Sequence, residues 1–266
     1  MTDTLFVYGG VSFVLLFISF KLYKKIERLE NAFVEYRDVS PSAKNLASLY
    51  HAYAIQDSIV GIKDGREHHV ICLGNSITKH GRRDSIGWKS DWGMAASRKE
   101  NDFCHVLEKR LQEYNKRTTI VPMNIADWEC NLTMDIDSLL KDDIRGCDVA
   151  IIRLGENVKD RKEFRSAIVR LTKYCKKKCR TVYLTGCFWQ DDDKESSIIN
   201  AAQQCNVRYI PLYWLPVIYR NEVYPKEGDT LRDVKNCIYR IHGNFIITHP
   251  NDEGMRRIAD TIFDNL

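Results

Sequence analysis

The chain has 266 residues, 44% hydrophobic and 29% charged, enough for one α/β domain with a buried core plus an appendage and not for two full domains. That composition excludes a disordered chain and a polytopic membrane protein. The formal charge of +4 is small and its excess is local, in Lys21, Lys24, Lys25 and Arg28 and again in Lys176, Lys177, Lys178 and Arg180. No reader motif or aromatic-interleaved basic face accompanies these runs, so no nucleic-acid partner is implied. Nine cysteines, scattered and without a Cys-x-x-Cys pair or zinc-ligand spacing, imply neither metal nor cofactor. Cys175 and Cys179, one helical turn apart, read as unlinked thiols.

From Thr4 to Phe20 the chain carries no charge. The apolar run Leu5 to Phe20 spans about 24 Å as a helix against a bilayer core of about 30 Å, and Lys21, Lys24 and Lys25 extend its reach by snorkelling. A cleaved signal would begin with basic residues and end at small ones, whereas here Asp3 precedes the run and lysines follow it. The expectation is a single-pass membrane anchor over residues 1–22. The positive-inside tendency puts the lysine-rich side in the cytoplasm, a glycan substrate argues for the opposite side, and the side stays open. Leu22, Ile26, Leu29 and Phe33 recur at helical spacing, and Ser40-Pro41 has the form of a helix start, so residues 23–63 are expected to form a helical stalk.

After the turn-like Asp64-Gly65, five apolar-rich runs of strand length follow, at His69 to Leu73, Thr119 to Met123, Val149 to Leu154, Thr181 to Leu184 and Val207 to Leu212. Helical patterns at Phe103 to Tyr114, Lys162 to Tyr174 and Ser196 to Cys205 separate them. Near-continuous apolar strands alternating with helices predict a three-layer α/β/α domain over residues 64–266, with a five-stranded parallel sheet covered on both faces. Reactive groups of such a sheet gather beyond the carboxyl ends of the strands.

Those ends carry Gly74-Asn75-Ser76-Ile77-Thr78, the stretch Asn124 to Glu129, Gly155-Glu156-Asn157 and, late in the chain, His249-Pro250. In this order the four stretches resemble the first, second, third and fifth blocks of the SGNH (GDSL-like) hydrolase superfamily, over about residues 68 to 266. The resemblance implies a flavodoxin-like fold and a serine esterase with Ser76 as nucleophile and His249 as base. A hydroxyl needs a base to take its proton, and an imidazole ionises close enough to neutrality to do so. The implied oxyanion donors are the Ser76 N–H, a backbone N–H at Glu129 and the Asn157 side chain.

Three positions depart from the family pattern. Asn75 stands where Asp is usual, and Glu129 stands where a glycine is usual. Ile246 occupies the place of the acid that orients the histidine. The expectation is therefore a Ser/His dyad held by a backbone carbonyl within residues 246–248, with Asp252 as the alternative partner. Trp88 and Trp92, in the long loop after Ser76, are candidates for a substrate wall, and plain packing accounts for them equally. His80, His105, His242 and the pair His68-His69 show no partner in the sequence.

The expected reaction is cleavage of an acyl ester, such as an O-acetyl group on a carbohydrate, through an acyl-Ser76 intermediate. Two rivals remain: a membrane-tethered binding or scaffolding protein on a degenerate form of this fold, and a lipid- or thioester-directed hydrolase. The partners are then a small-molecule or glycan ester and a membrane; the oligomeric state is not legible.

Overall fold

A computed structural model describes residues 67–242 and 244–266. The expected anchor (1–22), the stalk (23–63) and the first residues of the catalytic segment lie outside the described residues. Among the described residues no helix is long and apolar enough to cross a membrane.

All five apolar runs are strands: β1 (His68–Gly74), β2 (Thr118–Asn124), β3 (Val149–Ile152), β4 (Thr181–Thr185) and β5 (Arg208–Ile210). They form one sheet in the order β2-β1-β3-β4-β5, every neighbouring pair parallel. Alternation along each strand divides its side chains between two faces. Val70, Cys72, Val149, Ile151, Tyr183 and Ile210 belong to the core under helices α1 (Phe103–Tyr114) and α8 (Asp252–Phe263), which pack on one another. Ile71, Leu73, Ala150, Ile152, Val182 and Leu184 are equally buried and face the opposite layer, α4 (Arg161–Lys178) against α5 (Asp192–Cys205). Burial on both faces is why these strands read as continuous apolar runs rather than as alternating ones.

Side chains at the helix starts stop the chain where the pattern demands. Asp102, Asp160, Asp191 and Asn251 each accept a bond from a backbone N–H of the following first turn, satisfying donors that the helix itself leaves unpaired. Smaller elements that periodicity did not reveal are α2 (Ala126–Cys130), α3 (Ile136–Leu140), α6 (Leu215–Ile218), α7 (Asn244–Ile247) and an antiparallel hairpin of β6 (Thr230–Arg232) with β7 (Ile238–Arg240). Each is five residues or fewer, too short to establish a period.

The chain leaves β1 for the edge strand β2 and returns on the other side of β1 as β3. The carboxyl ends of β1 and β3 therefore flank the point where the winding reverses, the usual location of a site in such sheets.

Between β1 and α1 runs the long loop that holds both tryptophans, and it corrects one expectation. Trp88 is 0% and Trp92 6% exposed, their rings edge-to-face with centroids 6.3 Å apart. Trp88 Nε1 donates to the His80 carbonyl at 2.8 Å and Trp92 Nε1 to that of Ala96 at 3.0 Å. Neither presents a ring face to solvent, so they form no substrate wall; large apolar rings with one polar atom are stable in a core when that atom finds a carbonyl. Replacing Trp88 by alanine is expected to destabilise the domain by about 3–5 kcal/mol, read as a fall in the urea midpoint, and a shift of a few tenths of a kcal/mol would show that the loop does not depend on it.

Candidate active site

Three strand ends and one late turn build the site. β1 closes on Gly74, whose Cβ, if it had one, would collide with the Thr78 side chain. The glycine lets the chain fold tightly into the turn Asn75–Thr78, in which the N–H groups of Thr78 and Lys79 both donate to the Asn75 carbonyl, at 2.9 and 3.0 Å. Ser76 sits in this turn, partly exposed, and its backbone carbonyl accepts from Met94 N at 2.8 Å.

His249 comes from the other end of the chain. It follows α7, and Asn251 two residues later caps α8. Ser76 Oγ lies 2.9 Å from His249 Nε2. On the far side of the ring, Nδ1 lies 3.0 Å from the Phe245 carbonyl. A carbonyl only accepts, so Nδ1 carries the proton and the unprotonated Nε2 faces the serine hydroxyl.

Ile246, in the place of the family's acid, is a fully buried member of the core. A backbone carbonyl orients the imidazole, from Phe245, one residue before the expected window. Thr248 Oγ1 also donates to that carbonyl, at 2.8 Å. Asp252 is not the alternative partner: its carboxylate accepts from Ser97 N and Oγ at 2.6 Å each and from Asn101 Nδ2 at 2.7 Å.

Burial pushes the His249 pKa down from 6.5 to about 4; the Phe245 carbonyl opposes this, and the nearby charges of His80 and Arg153 add to it. His80 is thus a neighbour of the pair, which its sequence position did not indicate. Its backbone is clamped by both tryptophans, through Trp88 Nε1 and through its own N–H to the Trp92 carbonyl at 2.9 Å. Two further aromatic rings flank the imidazole: Trp189, edge-to-face at 5.4 Å, and Phe245 at 5.3 Å. Trp189 Nε1 donates to the Thr248 carbonyl at 3.2 Å, and Phe245 is 52% exposed. These two rings, unlike Trp88 and Trp92, lie beside the imidazole. A signal existed, since Phe188-Trp189 stand just beyond the carboxyl end of β4.

Behind the nucleophile lies a buried polar ring. Arg153 is 0% exposed; its Nη1 donates to Glu156 Oε1 at 2.6 Å and its Nη2 to Asn75 Oδ1 at 2.6 Å. Asn75 Nδ2 donates to Glu156 Oε2 at 2.7 Å and to Glu129 Oε1 at 3.3 Å. Glu129 belongs to α2, where the Ile125 carbonyl accepts from Trp128 N at 2.9 Å, and its side chain adds what the sequence did not imply, a buried carboxylate. That carboxylate accepts from Gly155 N at 2.5 Å and from Asn157 Nδ2 at 2.7 Å. Burial, and then the neighbouring Glu156, raise the Glu129 pKa, against the bonds from Gly155 and Asn157.

Gly155 is held at φ +138° with Cys187 Sγ only 2.5 Å from where a Cβ would be. Only glycine combines that backbone angle with that approach. Asn157, beyond it, is exposed. All nine cysteines are free, and among the described residues no group of three or more His, Cys, Asp or Glu side chains is arranged to hold a metal ion.

No protein-family model matches the chain, and no curated protein matches it in sequence. Solved structures do match in fold. One is an alpha/beta hydrolase enzyme from the metagenome of Lake Arreo, Spain, at 14% identity and a TM-score of 0.52, covering 77% of this chain and 97% of that one. An acetylxylan esterase from Geobacillus stearothermophilus aligns at 15% identity and 0.50, over 76% of this chain and 95% of that one. A two-domain esterase active on acetylated mannans aligns at 16% identity and 0.51, over 76% of this chain and 48% of that one. At these identities the likeness establishes the architecture: a hydrolase-like α/β fold with a five-stranded parallel sheet.

Proposed function

We propose that the chain is a serine ester hydrolase of the SGNH type that removes an acyl group, acetyl by preference, from a carbohydrate. The carrying observation is the 2.9 Å approach of Ser76 Oγ to the unprotonated nitrogen of a carbonyl-held imidazole, at the switch point of a parallel sheet. In the reaction Ser76 Oγ attacks the ester carbonyl carbon while His249 Nε2 takes its proton. The oxyanion that forms accepts from the Ser76 N–H, from the Glu129 backbone N–H and from the Asn157 amide, one of whose two hydrogens is left over from the Glu129 carboxylate. The tetrahedral intermediate collapses as the imidazolium returns its proton to the leaving sugar oxygen. Water, activated by the same nitrogen, then releases the acid from acyl-Ser76.

Carbohydrate is the proposed alcohol for two reasons. Two of the structural neighbours are an acetylxylan esterase and an esterase active on acetylated mannans. Phe245 and Trp189 beside the imidazole also offer the apolar faces that a pyranose ring stacks on. The apolar run Leu5 to Phe20 with its trailing lysines supports attachment of the enzyme to a membrane.

Two measurements test the reading. Wild-type protein is expected to react with a fluorophosphonate probe and to release acetate from acetylated xylo- or manno-oligosaccharides. Ser76→Ala should lose the label and at least about 10³-fold in turnover; a wild type that neither labels nor turns over supports the scaffolding alternative instead. The second measurement is a pH profile. The neutral imidazole is the working base and its pKa is lowered to about 4, so activity should be flat through neutrality and fall only as pH drops through about 4. An acid limb centred near the ordinary 6.5 in kcat/KM would contradict a buried, neutral His249.

A further inference from the structure

We propose that Glu129 is a positioning residue for the oxyanion site: its buried carboxylate fixes the Asn157 side-chain amide so that the remaining N–H faces the reacting ester oxygen. The inference rests on the hydrolase reading above and adds a residue that the reading does not need.

An asparagine amide turns about a broad, nearly two-fold torsion. The exposed Asn157 would on its own present oxygen or nitrogen to the ester with little preference. A carboxylate removes the ambiguity, because it accepts only and so pairs with the NH2 end of the amide. Glu129 Oε2 holds Asn157 Nδ2 at 2.7 Å, while Oε1 receives the Asn157 and Gly155 backbone N–H groups at 3.5 and 2.5 Å. Oε1 also accepts from Asn75 Nδ2. One side chain, 1% exposed, thus ties the residue before the nucleophile, the left-handed Gly155 and the oxyanion donor into a single arrangement. Ionised, it can accept at all of these positions. The amide of a glutamine can match Gly155 and Asn75 with its oxygen only by turning its own NH2 toward Asn157, which would make Asn157 flip and present its oxygen.

A purely structural role, tying α2 to the loop after β3, predicts something different from a role exercised through Asn157. The experiment is a double-mutant cycle on the full chain: wild type, Glu129→Gln, Asn157→Ala and the double variant, with kcat and KM for p-nitrophenyl acetate, the fluorophosphonate labelling rate and the urea midpoint for each. Asn157→Ala should lower kcat about 10²–10³-fold as a lost oxyanion donor. Glu129→Gln is expected to lower kcat about 10–100-fold with KM nearly unchanged, and to cost nothing further once Asn157 is alanine. A wild-type kcat in Glu129→Gln, or a loss that carries undiminished into the Asn157→Ala background, overturns the proposal.

Should Glu129→Gln not fold, the amide nitrogen spectrum of the wild type decides. The Asn157 NH2 pair, assigned by its absence in Asn157→Ala, should show one hydrogen shifted downfield and protected from exchange with solvent by the carboxylate. A pair in which both hydrogens exchange with solvent as fast as those of a free asparagine amide overturns the clamp. Failure of the hydrolase reading looks different, since Ser76 would then be unlabelled in the wild type while the amide signals still report whether the carboxylate holds Asn157.

Discussion

Arg153 is buried without any exposure beneath the nucleophile turn, and the polar architecture of the site is arranged around its charge. A guanidinium removed from water is costly unless its charge is paired. Here Glu156 accepts from Nη1 and the Asn75 side-chain Oδ1 from Nη2, while the buried Nε has no hydrogen-bond partner. Asn75 then passes the interaction on, its NH2 end meeting both Glu156 and Glu129. The ends of β1 and β3 and the short helix after β2 are joined through one amide. Burial raises the Glu129 pKa, and the neighbouring Glu156 carboxylate adds to that. The turn that carries Ser76 is thus seated on a ring of mutually bonded polar side chains.

The second constraint lies on the histidine side. A carboxylate behind an imidazole both orients it and stabilises the imidazolium that forms during proton transfer; a backbone carbonyl orients it equally well and stabilises the charge less. Burial lowers the His249 pKa, and the Phe245 carbonyl offsets only part of that. The imidazole is a reliable proton acceptor in its tautomeric state and a comparatively weak base. In the proposed hydrolase such a dyad would rely more heavily on stabilising the oxyanion, which gives the placement of Asn157 added weight.

Much of this was legible in the sequence. The strands announced themselves as apolar runs, most clearly β1, β3 and β4, which are buried on both faces, and the site blocks because they follow strand ends in a fixed order. Ser76 and His249, 173 residues apart, were paired on that basis and the structure brings them together. What escaped were features set by three-dimensional matching. Trp88 and Trp92 sit in a loop after the nucleophile, where a surface role is as natural as a core one; their indole N–H groups find carbonyls within the loop and the rings turn inward. Phe245 acts through its backbone oxygen, which no side-chain pattern announces. The carboxylate of Glu129 was invisible for a related reason, because the expectation attached to that position concerned its backbone N–H and not its side chain.

The two departures at Asn75 and Glu129, counted separately from the sequence, form one substitution in physical terms. With aspartate at 75, the oxygen facing Arg153 would be kept, but the other would confront the carboxylates of Glu129 and Glu156 with no donor between them, and three buried anions would share one guanidinium. With glycine at 129, Asn75 would keep Glu156 as partner, while the Gly155 N–H and the Asn157 amide would lose the acceptor that now joins them. A buried donor without a partner costs about 1–3 kcal/mol, so either change alone is penalised and the pair together is self-consistent. The amide at 75 supplies the donor that the carboxylate at 129 requires, and that carboxylate in turn binds the amide of Asn157 at the mouth of the site.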